Sequence, residues 1–187
     1  MVPHQTANIL RRALFLDRDG VINFDSDSYI LNKKNWRPIP GSLEAIRKAK
    51  SHGFTIAVVS NQSALGRKML DANSFHQINR KFFAQLKQHG GQIDLYLVCP
   101  HTPEQNCNCR KPRSGLFETI ADLLKIDITK LIFIGDRITD VYAAENVGAK
   151  SILVETGKVL DSAAKGYNRF ENLTKAVDYV IQNYESF

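Results

Sequence analysis

Asp17 and Asp19 follow the apolar run Ala13-Leu14-Phe15-Leu16 and precede Gly20-Val21. At the end of a buried strand, that spacing can turn both carboxylates toward one site. They repel unless a cation, a shared proton or a substrate role compensates. One can serve as nucleophile and metal ligand while the other carries a proton to and from a leaving group. A strand-to-turn junction with two solvated Asp residues is the plainer alternative. Ser60-Asn61-Gln62-Ser63 closes a second apolar run, Phe54–Val59. Hydroxyl and N–H groups there can hold phosphate oxygens, or can simply begin a helix. Asp136, after Leu131–Ile134 and Gly135, is placed to complete a metal site with Asp17, and Asp140 one turn later can orient it. Cys99, His101, Cys107 and Cys109 supply the ligand set of a closed tetrahedral zinc site. With no open position, such a zinc is structural, and its loop would aim the following Arg110 and Lys111 at the strand ends.

These groups must be carried by strands alternating with helices. Ser42 reads as the N-cap of a helix with Leu43, Ile46 and Ala49 inward and Gly53 at its stop. A second helix runs from about Ser74 to His89, with Phe75, Ile78, Phe82 and Leu86 at core spacing, and strand Ile93–Val98 follows. Ser114 caps a helix through Leu124. A short helix reaches Asn146-Val147-Gly148, strand Ser151–Val154 comes next, and an amphipathic helix spans Leu173 to Tyr184. The predicted fold is α/β, a doubly wound and mainly parallel Rossmann-like sheet. The stretch from Asn23 to Pro40 is too long for a tight turn. It either covers the strand ends and meets substrate through Asp25, Ser26, Asp27 and Ser28, or is a turn cluster anchored by Trp36.

The 187 residues fit one domain, 1–187, with a zinc-binding loop at 99–113. A formal charge of +6 favours an anionic ligand. The charge is scattered in pairs, Arg11-Arg12, Lys33-Lys34 and Arg110-Lys111, which argues against a nucleic-acid surface. Neither a signal-peptide core nor a membrane-length apolar run is evident, so a cytoplasmic chain is expected. Three clustered cysteines in such a chain point to a metal rather than a disulfide framework.

Over nearly its whole length the chain resembles the haloacid dehalogenase-like (HAD) phosphatases. Asp17-x-Asp19-Gly20-Val21 is similar to their first motif, Ser60 to the second, Lys111 to the third and Gly135-Asp136-x3-Asp140 to the fourth. No stretch is long enough for a separate cap domain. The cysteine cluster with Arg110-Lys111-Pro112 resembles the branch of D-glycero-D-manno-heptose 1,7-bisphosphate 7-phosphatases and histidinol-phosphate phosphatases. Asn61-Gln62-Ser63 with Arg67, the Asp25–Tyr29 segment and Thr156-Gly157-Lys158 are closer to the heptose enzymes. The resemblance implies Mg²⁺ held by Asp17, Asp136 and the Asp19 backbone carbonyl, Asp17 as nucleophile and Asp19 as acid and base. It implies Ser60 and Lys111 as phosphoryl stabilisers and a structural Zn²⁺. It implies substrate contacts from Asp25–Ser28, Asn61, Gln62, Ser63, Arg67, Arg110 and Arg137. The expected ligand is a small phosphorylated sugar used in ADP-heptose and lipopolysaccharide synthesis, handled by a monomer. Histidinol phosphate is the alternative, and a zinc-stabilised binding module without catalysis would leave Asp17 and Asp19 unexplained.

Overall fold

A computed structural model describes residues 12–158 and 164–186. Met1–Arg11, the greater part of the polar lead-in, lies outside them. Six strands form one sheet: β1 (Ala13–Leu16), β2 (Thr55–Asn61), β3 (Leu95–Cys99), β4 (Leu131–Gly135), β5 (Lys150–Val154) and β6 (Arg169–Phe170). Their spatial order is β3-β2-β1-β4-β5-β6, and every pairing is parallel. β1 is central and wholly buried, so both of its faces are apolar.

Alternate residues of each strand feed opposite cores. Leu14 and Leu16 join Ile132 and Ile134 beneath α1 (Ser42–Ser51), α3 (Ala72–Gln88) and α6 (Leu173–Asn183). Ala13 and Phe15 join Val59 and Phe133 beneath α4 (Gly115–Leu124) and α5 (Ile138–Glu145). The sheet is thus doubly wound, as the strand and helix periodicities predict. A four-residue α2 (Ser63–Gly66) and the two-residue β6 are additions, too short for any periodicity to announce.

Three caps differ from expectation. Gly41, in the left-handed region at φ 82, precedes α1, while the Ser42 hydroxyl donates to the Ile22 carbonyl at 2.7 Å. α3 begins two residues before Ser74, because Asp71 accepts the Ser74 N–H at 2.8 Å. Ser114 gives no side-chain cap to α4; its hydroxyl binds Glu118 at 2.6 Å. For Ser42 and Ser114 a nearby competing partner decides the role of the hydroxyl.

The long connection after β1 is pinned at Trp36. Its ring is fully buried against Phe82, 5.2 Å between centroids, and its Nε1 donates to Asn23 at 3.0 Å. Across the sheet, Phe117 from α4 lies 4.8 Å from Phe133 and 6.0 Å from Phe15. Replacing Phe117 with Ala should cost about 3–5 kcal/mol of unfolding free energy, measured by urea denaturation, because this contact holds α4 to the two site-bearing strands.

Candidate active site

The strand order reverses between β1 and β4, and ligands in open α/β sheets bind beyond the strand ends at that point. The Asp17 N–H continues the ladder by bonding Ile134 O at 2.9 Å, so its carboxylate emerges there. Asp17 Oδ1 accepts the Arg18 N–H at 2.7 Å and lies 3.0 Å from the Lys111 ammonium. The same ammonium is 2.7 Å from Asp140 Oδ1 and donates to Val59 O at 3.1 Å. Asp140 also accepts the Asp136 and Arg137 N–H groups at 3.0 and 3.1 Å, tying the start of α5 to the end of β4.

Asp136 is fully buried. Its Oδ2 accepts the Lys158 N–H at 3.1 Å, whereas Oδ1 has no hydrogen-bond partner. A Cβ on Gly20 or Gly157 would collide with this carboxylate, so both glycines are needed for it to fit. One oxygen each from Asp17, Asp136 and Asp140 falls within 4.8 Å of the others. Burial, opposed by Lys111 and reinforced by Asp140 and Asp19, pushes Asp17 up to about 7. Burial followed by the charges of Asp17 and Asp140 pushes Asp136 up to about 8. Burial alone would lower Lys111, but Asp140 and Asp17 outweigh it and hold the ammonium charged. One buried cation facing three carboxylates, with an orphaned oxygen among them, fits a hard divalent ion.

Asp19 is held apart from this cluster. Its two oxygens accept Arg18 Nε at 3.0 Å and NH2 at 2.9 Å, Asn23 Nδ2 at 2.8 Å and Gln62 Nε2 at 2.7 Å. Arg18 also reaches the Tyr96 hydroxyl at 3.1 Å. Arg18, Asn23 and Tyr96 went unnoticed in the sequence, since a charge beside a strand end reads as solvated and Tyr96 is remote in the chain. The Asp-Arg-Asp triplet was the available signal.

A cavity of about 510 Å³ opens over these groups. Asp17, Asp19, Ser60, Asn61, Gln62, Ser63, Arg110, Lys111, Asp136 and Arg137 line it, as do Asp25, Ser26 and Asp27 of the long loop. Trp36 anchors the base of that loop, and its acidic segment forms one wall of the cavity. The segment is tied across the cleft, Asp25 to Arg137 at 2.7 Å and Asp27 to Lys158. Two expected substrate contacts do not reach the cavity. Ser28 is exposed and donates its N–H to Ser26, and Arg67 is exposed at the end of α2, 3.6 Å from Glu104. Ser28 lies between the lining residues Asp27 and Tyr29, whereas Arg67 is four residues beyond the nearest one, Ser63. Tyr29, Ile30, Ile138, Thr139, Asp140 and Lys158 complete the lining.

Cys99, His101, Cys107 and Cys109 converge beside the cleft. Sulfur–sulfur distances are 3.3–3.6 Å, and His101 Nδ1 is 3.2 and 3.7 Å from Cys109 and Cys99. A tetrahedral cation about 2.3 Å from each sulfur spaces them by about 3.8 Å, so the cluster is nearly preformed. Burial and the Cys109 contact push Cys99 up to about 12, while hydrogen bonds from Cys109 and Cys99 outweigh burial and bring Cys107 to about 7. A soft dication would relieve the crowding of thiolates. The cluster leads into Lys111, whose backbone is clasped by Asn61 through two 3.1 Å hydrogen bonds.

A parallel sheet with an Asp-x-Asp strand end, a buried Lys and paired acidic residues at its reversal point defines a HAD-like hydrolase, and the profile of the HAD-hydrolase-like family matches residues 108–185. The D-glycero-beta-D-manno-heptose-1,7-bisphosphate 7-phosphatase of Pseudomonas putida is 40% identical over 155 residues, 83% of this chain and 89% of that protein. Its namesake in Pseudomonas aeruginosa is 37% identical over 92% of this chain and 99% of its own. The crystal structure of D,D-heptose 1,7-bisphosphate phosphatase from B. bronchiseptica, complexed with magnesium and phosphate, matches at TM-score 0.85 and 33% identity, covering 92% of this chain and 99% of that one. The chain belongs to this family of HAD phosphatases.

The raised carboxyls set a pH dependence. Both Asp17 and Asp136 hold their protons to higher pH when folded than the unfolded value near 4, so the folded chain binds more protons between about pH 4 and 8. Stability of the metal-free protein should therefore fall as pH rises through that window. Differential scanning fluorimetry in chelator should show a lower Tm at pH 8 than at pH 5, by at least ~3 °C. A divalent cation should restore more of it at pH 8, where both carboxylates are ionised.

Proposed function

We propose that this phosphatase removes the 7-phosphate of D-glycero-D-manno-heptose 1,7-bisphosphate. The observation that carries the reading is the Asp17–Lys111–Asp136 cluster at the sheet's reversal point, in a chain whose near-full-length relatives are named for that reaction. Both polar contacts of Asp17 fall on Oδ1, which leaves Oδ2 for in-line attack on phosphorus. The bond to the sugar oxygen breaks as the Asp17–phosphorus bond forms, and Asp19 delivers a proton to the departing oxygen. Asp19 then takes a proton from water, which displaces Asp17 and releases inorganic phosphate. Ser60 and Lys111 stabilise charge on the transferring oxygens. Asp17, Asp136 and the Asp19 carbonyl would hold Mg²⁺, whose positive charge would offset repulsion between carboxylate and phosphate.

Arg110 holds the sugar or its second phosphate, and Asp25, Ser26 and Asp27 wall the sugar. Histidinol phosphate fits less well: its amine needs an uncommitted carboxylate, whereas Asp25 and Asp27 are already paired with Arg137 and Lys158. Among the described residues, no helix is long and apolar enough to cross a membrane, and three free thiols suit the reducing cytoplasm proposed as its location.

Two measurements test this. Phosphate release from both anomers of the heptose bisphosphate should exceed that from histidinol phosphate in kcat/KM, and Asp17→Asn should abolish all turnover without unfolding the chain. A wild type preferring histidinol phosphate would overturn the substrate, and an active, contaminant-free Asp17→Asn protein would overturn the covalent route. For the cysteine cluster, elemental analysis should find about one zinc per chain, retained when Mg²⁺ is removed. Cys107→Ser should lower Tm and kcat together, since the loop carries Lys111.

A further inference from the structure

Gln62 was expected to touch substrate, yet the protein itself uses its amide fully. Arg18 is 1% exposed, and a guanidinium only donates. Its NH2 lies 3.0 Å from Gln62 Oε1, so the amide oxygen must face Arg18. Nε2 therefore faces the other way, 2.7 Å from Asp19 Oδ2 and 2.8 Å from Ser60 Oγ. Both amide hydrogens are spent. Ser60 Oγ accepts one of them, which turns the serine's own proton away from Gln62. Ser60 is 1% exposed and lines the cavity, and no described residue accepts from its hydroxyl.

We propose that Gln62 is a positioning residue that fixes the Ser60 hydroxyl as a donor aimed at the phosphoryl group, with Arg18 setting the direction of the chain. The proposal rests on the reading of Ser60 as a phosphoryl ligand. It makes donor polarity, rather than substrate contact, the contribution of Gln62. Because Gln62 also braces Asp19, the two arms must be separated. With 2,4-dinitrophenyl phosphate the strongly acidic aryl alcohol departs without a proton from Asp19, and its burst of release in a single turnover, which precedes the hydrolysis that needs Asp19 as base, isolates the serine arm.

On that substrate, Gln62→Met should lower the burst rate constant by roughly 10²-fold, the scale of one lost transition-state donor, with the half-saturating concentration changed by less than ~3-fold. In a Ser60→Ala background the same substitution should cost under ~3-fold, since the group it orients is gone. Gln62→Glu has nearly the same shape and should be worse than Gln62→Met, because its carboxylate accepts the serine proton and turns it from the phosphate. Losses that multiply in the double variant, a loss confined to the half-saturating concentration, or Gln62→Glu outperforming Gln62→Met would each overturn the relay. Should Gln62→Met fail to fold by thermal melt, the cycle is run with Gln62→Glu, and additivity has the same meaning. A Ser60→Ala protein with undiminished turnover would instead sink the phosphoryl-ligand reading itself.

Discussion

Three buried carboxylates share one buried ammonium. Lys111 lies within 3.0 Å of both Asp17 and Asp140, and Asp136 stands beside them with an oxygen bonded to nothing. Fully ionised, the group keeps two negative charges beyond that ammonium, countered only by the half-exposed Arg137, 3.8 Å from Asp136. Burial makes that state costly, which is why Asp17 and Asp136 hold protons to unusually high pH. The cost is a form of preorganisation: groups that a dication and a phosphoryl dianion would need are already in place and already dry. Removing the ammonium would leave only Arg137, at the edge of the cluster beside Asp136, as countercharge, so the position of Lys111 governs everything else at the strand ends.

That position is set from outside the sheet. Lys111 follows the cysteine cluster by two residues, its backbone is clasped by Asn61 at the end of β2, and its side chain bonds the Val59 carbonyl. A loop long enough to carry four metal-type ligands would otherwise wander at considerable entropic cost. An ion bound by the four ligands would cross-link the loop and confine the ammonium, while leaving the neighbouring Arg110 at the cavity wall. The cysteine site and the catalytic carboxylates are thus one mechanical unit, although no ligand is shared between them.

Asp19 follows a different logic. Four donors hold it in a carboxylate-bound orientation, and Arg18, the largest of them, is buried through contacts to Tyr96 and Gln62. The two acids of the Asp-x-Asp pair therefore inhabit opposed environments. Asp17 is crowded by other carboxylates, whereas Asp19 is surrounded by amides and a guanidinium. Two side chains of one type, two residues apart, are so prepared for different tasks.

Much of this could be read from residue order. Apolar runs ending in Asp17, Ser60 and Asp136 predicted both the parallel strands and the site beyond them, because a strand buried on both faces has few ways to be written. Three thiols and a histidine within eleven residues predicted their own convergence, since ligand type and short chain distance leave little freedom. What sequence could not supply was direction. Ser28 stands between two lining residues yet lines no part of the cavity, Arg67 reaches toward Glu104 instead, and Ser42 and Ser114 bind partners other than the helix ends beside them. Arg18 and Tyr96 are 78 residues apart and meet only because β3 lies two places from β1 in the sheet. The chain alone determined which groups arrive at the strand ends; only the tertiary structure decided which of them face the cavity and which are spent holding the others, because hydrogen-bond partners are chosen by proximity in space rather than in sequence.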